Sequence, residues 1–243
     1  MLRRGREPLH DIGSAVADTV RLLVSLDPDL LEIVGLSLWV SGNAVLIAGL
    51  VGVPLGALVA ISRFRGRWVV VVLLNAMMGL PPVVVGLSVY LLLSRAGPLG
   101  PLGILYTPTA MIIAQAILVM PIVAALSRQT IEDLKVEYED QLRVFGIGPW
   151  GMISTLIWDA RYSLLTALLA GFGRAVAEVG AVIIVGGNIN HVTRVMTTTI
   201  ALETSKGNLA LAMALGIVLV TIATAVNALV FSVRQTAVRS AYA

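Results

Sequence analysis

The chain has 243 residues, 58% of them hydrophobic and only 13% charged, with a mean hydropathy of +0.93 and a formal charge of +3. Soluble domains carry about 25% charged residues, so this composition excludes a water-soluble globular protein and implies an integral membrane one. The lack of cysteine removes disulfide frameworks and thiolate metal sites. The two histidines, His10 and His191, stand far apart outside the apolar runs, which argues against a histidine-based metal centre.

In chain order, Arg3, Arg4 and Arg6 resemble the start of a secretory signal, but Asp11, Asp18 and Arg21 interrupt the apolar core that a signal needs. Ser14–Leu26 reads instead as an amphipathic helix at the membrane interface, with Val16, Val20, Leu23 and Val24 on its apolar side. Residues 1–28 are thus an interfacial segment. Five apolar runs follow, each near or above the roughly 20 residues that cross a bilayer. They are about Ile33–Ile61, Trp68–Ser94, Ile104–Leu126, Tyr162–Gly187 and Leu209–Phe231. The reading is an all-α membrane domain, residues 29–233, of about five spans, with 234–243 as a C-terminal tail. The runs are too long and alternate too little for a β-barrel. The arginines beside them suit lipid headgroups; no nucleic-acid partner is expected.

Within the first run, Gly49, Gly52 and Gly56 form a ridge of small residues that permits close helix approach. The second run contains Gly79-Leu80-Pro81-Pro82-Val83-Val84-Val85-Gly86. Two prolines remove two backbone donors and interrupt a helix. Such an interruption is either a kink in a packed bundle or a broken helix beside a water-filled path. On the second reading Pro81, Pro82 and Gly86 shape a pore or gate.

Between the third and fourth runs lies Gln129–Arg161, which holds six of the chain's fourteen acids. An ion at mid-membrane costs roughly 2.5–3.5 kcal/mol even on insertion scales, so this segment lies in water. Ile131, Leu134, Tyr138, Leu142 and Phe145 recur at helical spacing on one face. Gly146, Gly148 and Pro149 then stop that helix and start a second, short one reaching about Ile157. The pattern fits either a docking element or an ordinary amphipathic surface loop.

The fourth run carries Arg174 and Glu178, the only base and the only acid inside any run. Four residues apart, they face each other on a helix and can pair. A structural ion pair or gate fits better than a proton relay, because no second carboxylate continues one. Gly187–Gly207 then forms a polar loop on the opposite side from the acidic segment, with a short helix over Met196–Thr204.

The acidic segment resembles the cytoplasmic coupling loop of ABC-importer permeases. Asp140-Gln141-Leu142 stands where that loop has Glu-Ala-Ala, Gly146 where it has its glycine, and Leu156 where it has isoleucine. Both alanines are absent, and Trp158-Asp159 replaces the usual Leu-Pro. Together with the Leu80–Leu87 run, the Gly97-Pro98-Leu99-Gly100 turn and the Gly173–Gly180 run, the chain from about Leu36 to Phe231 looks like the permease subunit of molybdate/tungstate ABC importers, nearest the tungstate branch.

That resemblance implies the type I ABC-importer permease fold and an ATP-driven oxyanion importer that works by alternating access. It implies a homodimer, two ATPase subunits and an extracytoplasmic oxyanion-binding protein. Glu139, Asp140, Gln141, Leu142, Arg143, Phe145, Gly146, Ile147, Gly148, Pro149 and Trp150 would dock the ATPase. Asn188, Asn190, Arg194 and Lys206 would face the binding protein. No G-x-x-x-x-G-K-[ST] run is present, so ATP-Mg is expected in the partner ATPase and this chain is expected to be non-catalytic and to bind no cofactor. With the acidic segment in the cytoplasm, nine basic residues lie inside and seven outside, a weak positive-inside bias. A sulfate permease of the same class and an ATPase-independent secondary transporter are the alternatives; the second should show repeated halves, and none is visible.

Overall fold

The computed structural model describes residues 19–22, 24–25 and 27–241. Of the expected interfacial helix Ser14–Leu26, residues 19–22 and 24–25 are helical, with Val20 and Val24 exposed. Val16 and Leu23 lie outside the described residues. Thr19 is tied to the far end of the chain, where its hydroxyl donates to the Ala210 carbonyl at 3.0 Å.

Helix α1, Pro28–Ile61, starts five residues before its apolar run. The Asp27 carboxylate accepts from the Asp29 and Leu30 amides at 3.0 and 3.3 Å, and Pro28 occupies the first turn, where a missing donor is harmless. Its 34 residues reach about 51 Å, well beyond a hydrocarbon core of about 30 Å. The second run is two helices, α2 (Arg67–Met78) and α3 (Pro82–Leu93), bent by 98°. The prolines do not remove donors from inside a helix. Pro81 caps α3 and Pro82 opens it, which is where proline is best tolerated.

Helix α4, Pro108–Val144, has 37 residues and corrects one expectation. The third apolar run and the first helix of the acidic segment are one continuous element. Nothing from Leu126 to Glu139 breaks a helix: there is no glycine or proline, and Leu134, Lys135 and three glutamates are good helix formers. After the Gly146 turn come α5 (Pro149–Asp159) and α6 (Arg161–Val176), then α7 (Gly180–Gly186), bent 59° from α6. Helix α8, Met196–Lys206, fulfils the short-helix expectation. Helix α9, Leu209–Ala241, runs straight through the residues expected as a tail, which contain no helix breaker. Among the described residues, three helices are long and apolar enough to span a membrane, and counting each bent pair as one span gives five.

The bundle is organised on α4. Helix α1 lies along it with little separation: a Cβ at Gly52 would meet the Met120 carbonyl at 3.1 Å, and one at Gly56 would strike the Ala124 carbonyl and the Arg128 amide. The glycine ridge is therefore a helix–helix seam. Gly49 continues it against the Leu168 side chain of α6. One core cluster joins Val40 and Ala44 of α1, Val85 and Val89 of α3, Met111 of α4 and Val182 of α7. A second, at the other end, joins Ala57 and Ile61 of α1, Ile131 and Leu142 of α4, and Met152 and Leu156 of α5.

Candidate functional site

At the α4–α5 end, helix α4 overruns the apolar zone and stops at a left-handed glycine, Gly146 (φ +70°). The Ile147 amide donates to the Leu142 carbonyl at 3.0 Å, and both side chains join one cluster. This is a Schellman ending, in which glycine supplies a conformation other residues resist. Gly148, extended, caps α5, and Pro149 opens it. Ile131, Leu134, Tyr138 and Leu142 pack inward as their spacing requires. Phe145 does not: it follows the last helical residue, so the helical register no longer aims it at the core, and it is 78% exposed. Trp150, in the first turn of α5, is 76% exposed, and Val144 is exposed too. Asp140 and Gln141 face solvent. The side chains of Arg143 and Pro149 lie outside the described residues.

Ion pairs hold this protrusion. Glu132 pairs with Arg67 at 2.6 Å and with Arg128; Glu139 pairs with Arg63 at 2.9 Å. Lys135 donates to the Ala60 and Ile61 carbonyls at 3.3 and 3.1 Å, and Arg67 to the Val59 carbonyl at 2.9 Å. The last carbonyls of α1, orphaned by the helix end, thus find cations on α2 and α4. The α1–α2 turn and the α4 extension form one braced unit.

The two broken spans meet through their second halves. A Cβ on Gly86 would lie 2.7 Å from the Ala181 Cα, and one on Gly180 would lie 3.0 Å from Val83. Gly86, expected to shape a pore, sits at a close α3–α7 contact where a Cβ would strike the α7 backbone. Pro81 at the α2–α3 bend is exposed and Pro82 half-buried.

Arg174 and Glu178 pair at 2.7 Å, yet not along one helix. Helix α6 ends at Val176, so Glu178 stands in the break itself. Its second oxygen accepts from the Ala181 amide at 3.0 Å, in the first turn of α7. One carboxylate therefore joins the end of α6 to the start of α7. The carbonyls freed by the break are also met: Gln115 donates to Ala175 at 3.0 Å and Thr197 to Glu178 at 2.8 Å. Glu178 is 3% exposed and Gln115 is buried. Neither Gln115 nor Thr197 figured in the sequence reading. A lone glutamine in an apolar run was the available signal.

At the α7–α8 end, hydroxyls close the loop onto itself. Thr193 donates to the Gly186 carbonyl at 2.5 Å and accepts from the Ile189 amide at 2.9 Å. The Met196 amide donates to Ser37 of α1 at 2.7 Å. Asn188, expected to face a partner, is half-buried: its Oδ1 accepts from the Thr198 hydroxyl at 2.9 Å while its backbone makes a left-handed turn. Asn190 is exposed, and Arg194 is half-buried. Lys206 is half-exposed and pairs with buried Glu203 at 2.9 Å. Hydrogen bonds from Lys206 and Asn208 hold the Glu203 carboxyl below its ordinary pKa. His191 lies with Asp29 and Glu32 in an exposed trio. A hydrogen bond to Glu32 raises its imidazole pKa.

Apolar spans, two of them broken and stitched, together with a braced amphipathic protrusion, define a multi-pass membrane transport subunit. A family model described as "binding-protein-dependent transport system inner membrane component" matches residues 52–238, and the chain belongs to that family, whose fold is that of type I ABC permeases. The chain is 44% identical to the tungstate uptake system permease protein of Peptoclostridium acidaminophilum, over 92% of this chain and 98% of that one. It is 40% identical to a probable anion ABC transporter permease protein of Haloferax volcanii, over 82% and 88% of the two chains. Against the tungstate uptake system permease protein of Campylobacter jejuni it is 36% identical, over 88% and 90%. Molybdenum and sulfate transport permeases stand further off, at 28% and 27% identity. Permeases of this family are inner-membrane subunits that work with ATPase and binding-protein partners.

Proposed function

We propose that this chain is the permease of a tungstate importer, working as a homodimer with two ATPase subunits on its cytoplasmic side. One observation carries the coupling part. Phe145, Trp150 and Val144 are left exposed at the tip of a helix whose base is fixed by four cations and two carboxylates. Large apolar groups on a rigid protrusion suit insertion into a partner's groove. A push at the tip travels along α4 into the bundle, because α4 is one helix from the protrusion to the core. The tungstate cargo rests on the likeness to tungstate permeases along nearly their whole length.

In this reading ATP closes the ATPase pair, the protrusions move with it, and the pore alternates between outward and inward access. The chain itself carries out no hydrolysis and binds no nucleotide. The α7–α8 end, with Asn190, Arg194 and Lys206, receives the binding protein. Arg174 and Glu178 keep the broken span in register beside the path. The binding protein, not the spans, selects the anion: Arg174 is the only cation deep inside a span, and Glu178 already neutralises it.

The test is to purify the tagged chain from native membranes in mild detergent. A co-purifying ATPase, stimulated by binding protein loaded with tungstate above molybdate or sulfate, is the expected result. A stable assembly without an ATPase overturns the proposal.

A further inference from the structure

Beside the α1–α4 seam runs a groove of about 600 Å³, walled by Val45, Gly49 and Val53 of α1 and by Leu164, Leu165 and Leu168 of α6. Every residue lining it is apolar except one, Arg161, at the first turn of α6. Along α1 the groove extends from Gly42 to Pro54, about 18 Å at helical rise. One leaflet of hydrocarbon is about 15 Å thick.

Arg161 is held in an unusual way. Nη1 donates to the Trp158 carbonyl at 2.7 Å, and the guanidinium lies over the Trp158 ring at 4.9 Å and the Tyr162 ring at 4.6 Å. It forms no ion pair among the described residues, whereas Arg63, Arg67 and Arg128 at the same end all do. Trp158 is 71% exposed. Tryptophan and tyrosine favour the headgroup level of a bilayer. A fixed guanidinium offers a phosphate a bidentate, charge-assisted partner.

We infer that this groove binds one phospholipid of the leaflet at the α4–α5 end, with its phosphate on Arg161 and an acyl chain between α1 and α6. The length, the apolar walls and the single unpaired cation at one end match the three parts of that molecule. The bound lipid would cover the Gly49–Leu168 contact that joins α6 to α1. The site is independent of which anion is transported.

Native mass spectrometry of the delipidated permease–ATPase assembly, titrated with phosphatidylglycerol, tests the site. Saturable retention of one lipid per permease chain is expected. R161Q should weaken it about tenfold or more, the scale of a lost charge-assisted hydrogen bond, and L46W should block it by filling the groove while leaving Arg161 in place. The intact assembly mass checks that each variant folds. Equal retention by wild type and R161Q, or equal retention of phosphatidylglycerol and uncharged diacylglycerol, overturns the role of Arg161. The chain has no cysteine, so L46C places a single thiol in the groove. A disulfide-linked pair of permease chains in membranes would show a second copy covering the groove and would overturn lipid occupancy.

Discussion

The two ends of the bundle treat their polar and apolar groups in opposite ways. At the α7–α8 end, hydroxyls and amides meet backbone groups of the same chain: Thr193, Thr197, Thr198 and Ser37 are all buried and bonded. At the α4–α5 end, carboxylates and cations meet at the surface, and large apolar side chains are left in water. The hydroxyl network fixes the shape of the α7–α8 loops, which in the proposed function present Asn190, Arg194 and Lys206 to the binding protein. An end that fixes its base and leaves its tip unsatisfied is built for a partner.

Glu178→Ala should break this contrast most severely. It leaves Arg174 uncompensated and the Ala181 amide orphaned inside the bundle, at a cost of about 3 kcal/mol. The thermal midpoint of the solubilised permease should drop markedly, and Glu178→Gln, which keeps an acceptor, should drop it less. The exchange of Arg174→Glu with Glu178→Arg sharpens the point. Sequence spacing alone predicts rescue, but the structure predicts failure, because arginine at position 178 cannot accept from the Ala181 amide. Rescue of the midpoint by the exchange would return the pair to a simple ionic contact.

Next in size is Gly146→Val. A β-branched residue in the left-handed region costs roughly 1–2 kcal/mol, concentrated at the tip of the protrusion. The fold should survive while uptake falls and ATPase activity no longer responds to loaded binding protein. Normal uptake in reconstituted vesicles would remove Gly146 from the coupling role.

Acid should affect the two ends differently. Glu203 has a folded pKa below its ordinary value of 4.5. Its contribution is therefore fully present above the unfolded pKa and disappears as pH falls through the folded one. Melting between pH 6 and pH 3 should show the wild type losing more than Glu203→Gln in that lower range. Parallel curves would mean the Lys206–Glu203–Asn208 contact adds nothing.

The smallest effect on stability belongs to Trp150→Ala. The exposed ring touches little, so stability should change by no more than about 0.5 kcal/mol, while co-purification of the ATPase weakens. Loss of the fold instead would make Trp150 part of the core and undercut the docking surface.

Much of this was legible beforehand. The apolar runs coincide with the three helices and two bent pairs able to span a membrane among the described residues, the glycine ridge signals a close helix approach, and Gly146 marks the turn it makes. These are local or periodic properties, read over short windows. Phe145 fell out of its pattern because a periodic rule continues past a helix end that the backbone does not. That Gly86 packs against Ala181 is not visible in the sequence, because the close approach depends on an element almost a hundred residues away. The Asn188–Thr198 contact is not visible in the sequence, because polarity in a loop does not say which group an amide will meet.

Composition and hydropathy by themselves determined that this chain lives in a bilayer, as helices, with one charged segment kept in water. Those outcomes follow from the cost of moving ions and unbonded peptide groups into hydrocarbon, which depends on residue type and run length alone. Only the tertiary structure decided that Glu178 spans a break rather than a helical turn. It also decided that Gln115 and Thr197 satisfy the freed carbonyls, and that Arg161 lies over two aromatic rings and forms no ion pair among the described residues. Each of these depends on which donor reaches which acceptor across the packed bundle, and that is set by distances between segments remote in the chain.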